Sequence, residues 1–354
     1  MNNVFIHIGP PKSGTSAIQK WLNEHREYLL TNGVYYPEHE VDENGVSSGN
    51  LLSLFSPDEG DFVLDKKKLT DTLESFSASG AEKLLLSSEF FFKRMEQLAE
   101  YIPNATFVGY LRFPLEVAES SYNQGVKRHA QVNAFGLPAT PRAYQLEILS
   151  RLINKIGKER FILRPYHQAC FKGNSILDDF LSLFNVSPIN VSSRKVNTSY
   201  TLEGLEFKRW FNQLNLGSLQ EDMDRFLQRE QSGTQSYSFV PPKIFEAFKS
   251  EFVAQMRTFC EQNSVENTAM FIQQCEQSEQ KPKVKQFIDI ETFTRMLSNF
   301  IEQPGVLNKM ISSYENDWKY QKVEKSPERL DIVKDILPWS KVALFKIKKS
   351  LGRV

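Results

Sequence analysis

Six consecutive residues near the start of the chain, Pro11-Lys12-Ser13-Gly14-Thr15-Ser16, are of the types needed to hold an anion. They follow a β-prone run at 4–8. They precede a helical pattern in which Ile18, Trp21, Leu22, His25 and Leu29 recur near 3.6-residue spacing. A loop in this position ends on a helix N-terminus, whose first amides have no partner inside the helix and face an incoming anion. Gly14 lets the backbone approach a phosphate closely, Lys12 adds a point charge, and the Thr15 and Ser16 hydroxyls add donors. A phosphate or a phosphosulfate suits this arrangement, and the plain alternative is a Gly/Pro turn leading into a helix. The loop departs from the Walker A pattern. Gly9 and Gly14 have its spacing, but Thr15 stands at the lysine position and the lysine lies inside the loop at position 12.

Two further positions carry chemistry. Arg112 ends a strand expected at 106–111, and Ser120 falls within the helix that Pro114 opens. An arginine fork and a hydroxyl at the carboxyl end of a parallel strand are placed to hold a second phosphate. Read alone, Arg112 is a surface ion-pair residue. Glu89 follows a strand expected at 83–88, at the same sheet edge as the loop. There a carboxylate can take a proton from a hydroxyl, or it can simply cap a helix or join a salt bridge.

In this combination and order, Pro11-Lys12-Ser13-Gly14-Thr15-Ser16 and Leu111-Arg112-Phe113-Pro114 with Ser120 resemble the donor-binding motifs of sulfotransferases that use 3′-phosphoadenosine 5′-phosphosulfate. The resemblance covers roughly residues 3–215 and is nearest in character to bacterial carbohydrate-type members. It implies a P-loop NTPase-like sulfotransferase fold in which 11–16 form the 5′-phosphosulfate loop. Lys12 would contact the bridging oxygen and the 5′-phosphate, and Thr15 and Ser16 the 5′-phosphate. Arg112 and Ser120 would bind the 3′-phosphate. Glu89 would be the catalytic base where many cytosolic members carry a histidine, and no metal would be required. The acceptor it implies is a hydroxyl of a carbohydrate or polysaccharide, with His39 and Arg128 as candidate contacts. One departure matters: the late Arg-Lys-Gly-type nucleotide loop is not recognisable, Arg194-Lys195-Val196-Asn197 being only a faint echo. A P-loop nucleotide kinase or NTPase remains the rival enzyme class, and a non-catalytic nucleotide-binding scaffold of polysaccharide assembly the rival outside catalysis.

The elements that must position these residues are strands at 4–8, 83–88, 106–111 and 160–163, separated by helical patterns at 114–126, 142–156 and 176–184. Strands alternating with helices predict an α/β fold with a central, mainly parallel sheet flanked by helices. Arg164-Pro165-Tyr166 reads as scaffolding. The polar stretch 37–50 reads as a long loop with a place in an acceptor site. Beyond about residue 200 strand signals fade. Helices are expected at 202–214 and 244–260, and linkers or exposed loops at 216–237 and 276–284. The domain reading is a sulfotransferase domain over 1–265 and a helical C-terminal extension over 266–354.

Lys+Arg and Asp+Glu both number 43, so global charge gives no argument for a nucleic-acid partner and any anion site must be local. Cys170, Cys260 and Cys275 form no CxxC pair, and the five histidines show no ligand spacing, which predicts free thiols and no metal site. No basic segment followed by an apolar run opens the chain and no long apolar stretch interrupts it, so the expectation is a cytoplasmic protein. The tail 338–354 mixes Trp339, Val342, Leu344, Phe345, Ile347 and Leu351 with Lys341, Lys346, Lys348, Lys349 and Arg353, and no acid follows Asp335. Such a segment either packs on the body with its lysines outward or lies peripherally on the inner membrane face.

Overall fold

The computed structural model describes residues 3–40, 47–173, 175–189 and 199–351. Val4, Ile6 and Ile8 are buried, as are His7 and Gly9 between and beyond them, so β1 (Asn3–Gly9) is covered on both faces. That burial is the signature of a central strand in a parallel sheet. The remaining strands are β2 (Val34–Tyr35), β3 (Phe55–Asp58), β4 (Asp61–Leu64), β5 (Lys83–Ser87), β6 (Ala105–Leu111) and β7 (Phe161–Pro165). Five of them form a parallel sheet in the order β2-β5-β1-β6-β7. The register sets His7 opposite Ser87 on one side and Val108 on the other. β3 and β4 form a separate antiparallel hairpin that the sequence pattern does not announce.

Helices flank the sheet, and the fold is α/β as expected. Thr15–Glu24 lays Ile18, Trp21 and Leu22 into a core shared with Leu85, Val108 and Tyr110 of the strands and with Phe180 and Leu181 of the helix Ile176–Leu181. Because β1 is central, the chain leaves it first toward β2 and β5 and later crosses to β6 and β7. This reversal falls at the carboxyl ends of β1 and β6, the general position of ligands in open parallel sheets. The carboxyl end of β5 is tied down by Asn50, which donates its backbone N–H to the Ser87 carbonyl and accepts the Ser87 N–H on its side chain, each at 2.9 Å.

The chain groups into two compact units, each drawn from three segments. The first comprises Met1–Val117, Pro138–Val196 and Glu246–Glu279 and holds the sheet. The second comprises Ala118–Leu137, Asn197–Phe245 and Gln280–Val354. Its helical core is built on Phe207, Trp210, Phe211, Phe293, Phe300 and Trp318. The boundary expected after residue 265 falls inside the third segment of the first unit. The stretch 216–237, expected as linker, instead contains the helix Leu219–Arg229 with Leu219, Met223, Phe226 and Leu227 buried. Glutamine and charge on its outer face mask that apolar stripe in the sequence. All three cysteines are free and buried.

His7 is fully buried, with Nδ1 2.8 Å from Ser87 Oγ. Burial lowers its pKa from 6.5 to about 3, so the ring is neutral in the folded chain. A group whose charged form is excluded from the fold leaves stability intact above its unfolded pKa. That stability is lost as pH falls below 6.5 toward 3, because the unfolded chain takes up a proton that the folded chain refuses. Urea unfolding at pH 7.5 and 4.5 checks this: wild type should lose roughly 2 to 3 kcal/mol more over that interval than His7→Asn. Equal losses would show that His7 is not held neutral.

Candidate functional site

The turn from β1 into the helix Thr15–Glu24 needs unusual backbone. Gly9, Lys12 and Gly14 all have positive φ, at 86°, 75° and 79°. A lysine in the left-handed region costs about 1 to 2 kcal/mol, and such residues persist where surrounding structure over-determines them, often at functional sites. Two hydrogen bonds hold the loop closed: Ser13 Oγ donates to the Pro10 carbonyl at 2.5 Å, and Gln145 Nε2 donates to the Pro11 carbonyl at 3.0 Å.

Gly14 is the N-cap of the helix, and among the described residues no side chain caps its first amides. Uncapped amides of this kind are what an anion site at the helix start would need. A Cβ on Gly14 would stand 2.7 Å from Ile176 Cδ1 and 3.0 Å from Tyr166 Cε2, so this position has no room for a side chain. Thr15 is buried, and its Oγ1 finds no hydrogen-bond partner among the described residues. A buried hydroxyl without a partner is costly, and an anionic oxygen at the helix start would satisfy it. Ser13 is also buried, Pro11 and Lys12 are half-buried, and Ser16 is exposed.

Arg112 reaches this loop from the end of β6. Its Nη1 donates to the Lys12 carbonyl at 2.9 Å, its Nε pairs with Glu116 at 2.9 Å, and its guanidinium lies 5.2 Å from the centre of the Tyr166 ring. The ion-pair character that Arg112 shows in sequence is therefore present, within a contact that also joins the two anion motifs. Next to Glu116 and Tyr166 lies a cavity of about 230 Å³, lined also by Phe113, His167, Phe271 and Cys275.

Glu89 opens a short 3-10 turn after β5, capped by Ser88, whose Oγ accepts from Phe90 N and donates to the Ser48 carbonyl at 2.6 Å. Its backbone adjoins the start of the loop: a Cβ on Gly9 would lie 3.8 Å from Glu89 Cα. The side chain is half-exposed. The structure thus gathers the loop, Arg112 and Glu89 at one sheet edge. Ser120 lies on the helix Pro114–Arg128, half-buried and grouped with the second unit.

The two acceptor candidates sit differently from one another. His39 is buried, with Nδ1 2.7 Å from Ser47 Oγ and its ring edge-on to Tyr36, and burial lowers its pKa. Arg128 pairs at 2.9 Å with the buried Asp224, which also accepts from Tyr200, so it is not a solvated helix end. Residues 190–198, including the Arg194-Lys195-Val196-Asn197 echo, lie outside the described residues. Sequence reasoning passed over Gln145 and Glu116, and it read Tyr166 only as scaffolding. For Tyr166 a signal existed, since it follows the last strand of the parallel sheet at its carboxyl end.

Gly14→Ala should cost roughly 2 to 4 kcal/mol, the sum of a left-handed alanine and overpacking. Gly80→Ala is the control: Gly80 has φ 72° and no atom within 4 Å of a Cβ, so only the backbone cost of about 1 kcal/mol applies. Urea midpoints of the two variants check the difference, and equal losses would show that Tyr166 and Ile176 do not confine the loop.

No protein-family model and no curated protein matches the chain. Among solved structures, a sulfotransferase from Alicyclobacillus acidocaldarius is similar at 13% identity and a TM-score of 0.40, over 76% of this chain and 98% of that one.

Proposed function

We propose that the chain is a sulfotransferase that moves the sulfonyl group of 3′-phosphoadenosine 5′-phosphosulfate to a hydroxyl of a carbohydrate or polysaccharide. The observation that carries this reading is the 2.9 Å bond from Arg112 Nη1 to the Lys12 carbonyl, which brings the two anion motifs to one place. A donor with phosphates at both ends of its ribose needs two such clamps. The helix-start amides and the partnerless Thr15 hydroxyl suit the 5′-phosphosulfate. Arg112 suits the 3′-phosphate, and the sequence resemblance adds Ser120 to it. The cavity beside Tyr166 and Phe113 offers the adenosine end a ring-lined wall.

In this reading the loop fixes the donor with its sulfur toward the side of Glu89. Lys12 offsets charge that builds on the leaving oxygen, an interaction stronger in the transition state than in the ground state. Glu89 accepts the proton of the attacking hydroxyl. The described ends of the 37–50 segment, tied to β5 through Asn50 and to the Glu89 turn through Ser48, border the acceptor side.

Calorimetric titration with 3′-phosphoadenosine 5′-phosphate, without metal, tests the donor assignment. Binding should weaken roughly 10- to 100-fold in Arg112→Ala, the usual effect of losing charged hydrogen bonds. Preference for ATP with magnesium would put a P-loop NTPase in its place. Glu89→Gln should leave this binding unchanged and lower turnover about 100-fold or more over a panel of sugar acceptors. Unchanged turnover would remove Glu89 as the base, and nucleotide binding without turnover by wild type would favour a scaffold.

A further inference from the structure

The C-terminal helix, Trp339–Ser350, is apolar on two sides. On one, Val342 and Phe345 pack against the core of the second unit, alongside Leu330, Ile336 and Tyr314. Lys346 pairs with Glu315 at 3.2 Å and Lys349 donates to Asn316 Oδ1 at 2.5 Å, fastening the same side to the body. The other side faces outward. Trp339, Leu344, Ile347 and Leu351 are 82%, 51%, 57% and 60% exposed. At about 100° per residue these four fall within an arc of roughly 140°. Ala343 and the two serines, Ser340 and Ser350, lie inside that arc, and no charged residue interrupts it. Lys341 and Lys348 border it on one edge and Lys346 on the other. No acid follows Asp335.

An outward strip of one tryptophan and three aliphatic residues on a helix whose other side is already packed is not needed to hold the fold. Large contiguous exposed apolar surface marks an interaction site. Two features choose the occupant. The helix's own charges beside the strip are all lysines, and of these Lys346 is offset by Glu315 while Lys341 and Lys348 keep the border basic, so the complementary surface is anionic. The lysines also run along both borders of a straight apolar strip with a tryptophan at its start, the pattern of a helix lying in the plane of a membrane interface. No described helix is long and apolar enough to cross a membrane, so the contact is peripheral.

We propose that the helix Trp339–Ser350 docks the protein on an anionic phospholipid surface. Trp339, Leu344, Ile347 and Leu351 enter the headgroup–acyl boundary, while Lys341 and Lys348 meet the phosphates beside them. This inference is independent of the sulfonyl-transfer reading, since it uses no residue of the loop, Arg112 or Glu89.

Co-sedimentation of the full chain with phosphatidylcholine vesicles, alone and with about 30% phosphatidylglycerol, tests it. Wild type should pellet with the anionic vesicles, less so as salt rises, and stay in solution with the neutral ones. Ile347→Glu should lower the partition coefficient roughly tenfold or more, with circular dichroism unchanged because the side chain points away from the body. Lys341→Glu with Lys348→Glu should lower it for anionic vesicles while leaving the fold intact. Failure of wild type to pellet would overturn the proposal, as would equal pelleting of Ile347→Glu. So would a dimer in velocity sedimentation that Ile347→Glu dissociates, which would assign the strip to a second copy of the chain.

Discussion

The candidate site depends on a backbone turn of six residues. To pass from the end of β1 into the helix Thr15–Glu24, the chain adopts positive φ at Gly9, Lys12 and Gly14. Only one of these three carries a side chain, and that side chain is the lysine. The turn starts the helix on Gly14 with no side chain of the described residues capping its first amides, and it buries Thr15 beside them. It also leaves the Lys12 carbonyl pointing at Arg112, the bond that gathers two sequence-distant motifs. If the turn relaxed to ordinary right-handed backbone, the amides, the lysine and the arginine anchor would move together.

Such a strained turn persists because rigid neighbours hold it. Behind it, Ser87 is a junction: its Oγ meets His7, its N–H and carbonyl meet Asn50, and its carbonyl also accepts from Gln19 of the loop's own helix at 3.1 Å. Beside it, Arg164 pairs with Asp179 at 3.0 Å, and Asp179 accepts from Tyr110 at 2.6 Å, fixing β6 and β7 to the helix Ile176–Leu181. That helix supplies Ile176, which with Tyr166 closes over Gly14. A buried polar network of this kind, in which only His7 Nε2 and Arg164 Nε lack a partner among the described residues of the two clusters, specifies geometry more than it adds stability. Here the geometry it specifies is the position of the loop.

The parts of this arrangement that are local in sequence were legible there. A β-prone run, a Gly/Pro loop and a 3.6-residue stripe stand next to one another in the first 30 residues. Pro114 two residues after Arg112 marks the strand-to-helix junction without any long-range knowledge. What escaped was set by distant partners. β2 is two residues long and becomes a strand only by pairing with β5. The hairpin of β3 and β4 has Pro57 in one arm and Asp58 and Asp61 around its turn, a composition that reads as loop. Gln145 is one glutamine among many until the fold brings it to the Pro11 carbonyl. His39, named from sequence as an acceptor contact in a long polar loop, is buried where residues 47–50 fold back onto the end of β5.

With the chain electrically neutral overall, a preference for a phosphorylated ligand would have to be local, and how Arg112 is held would be one part of it. A guanidinium has five N–H donors in a fixed fork. Here Nε is engaged by Glu116 and Nη1 by the Lys12 carbonyl, two of the three nitrogens of the fork. Glu116 is 43% exposed, and an ion pair open to water at one end adds little stability. Its effect is positional: it stops the arginine from swinging and keeps the planar group over the Tyr166 ring. A phosphate that meets this fork brings more charge than the carboxylate and can draw the outer donors without breaking the bond to the loop. The arginine would then bind a ligand and brace the loop at once. For that reason its loss should weaken binding at both ends of a doubly phosphorylated molecule, whereas loss of a donor that serves only one phosphate would weaken it at one.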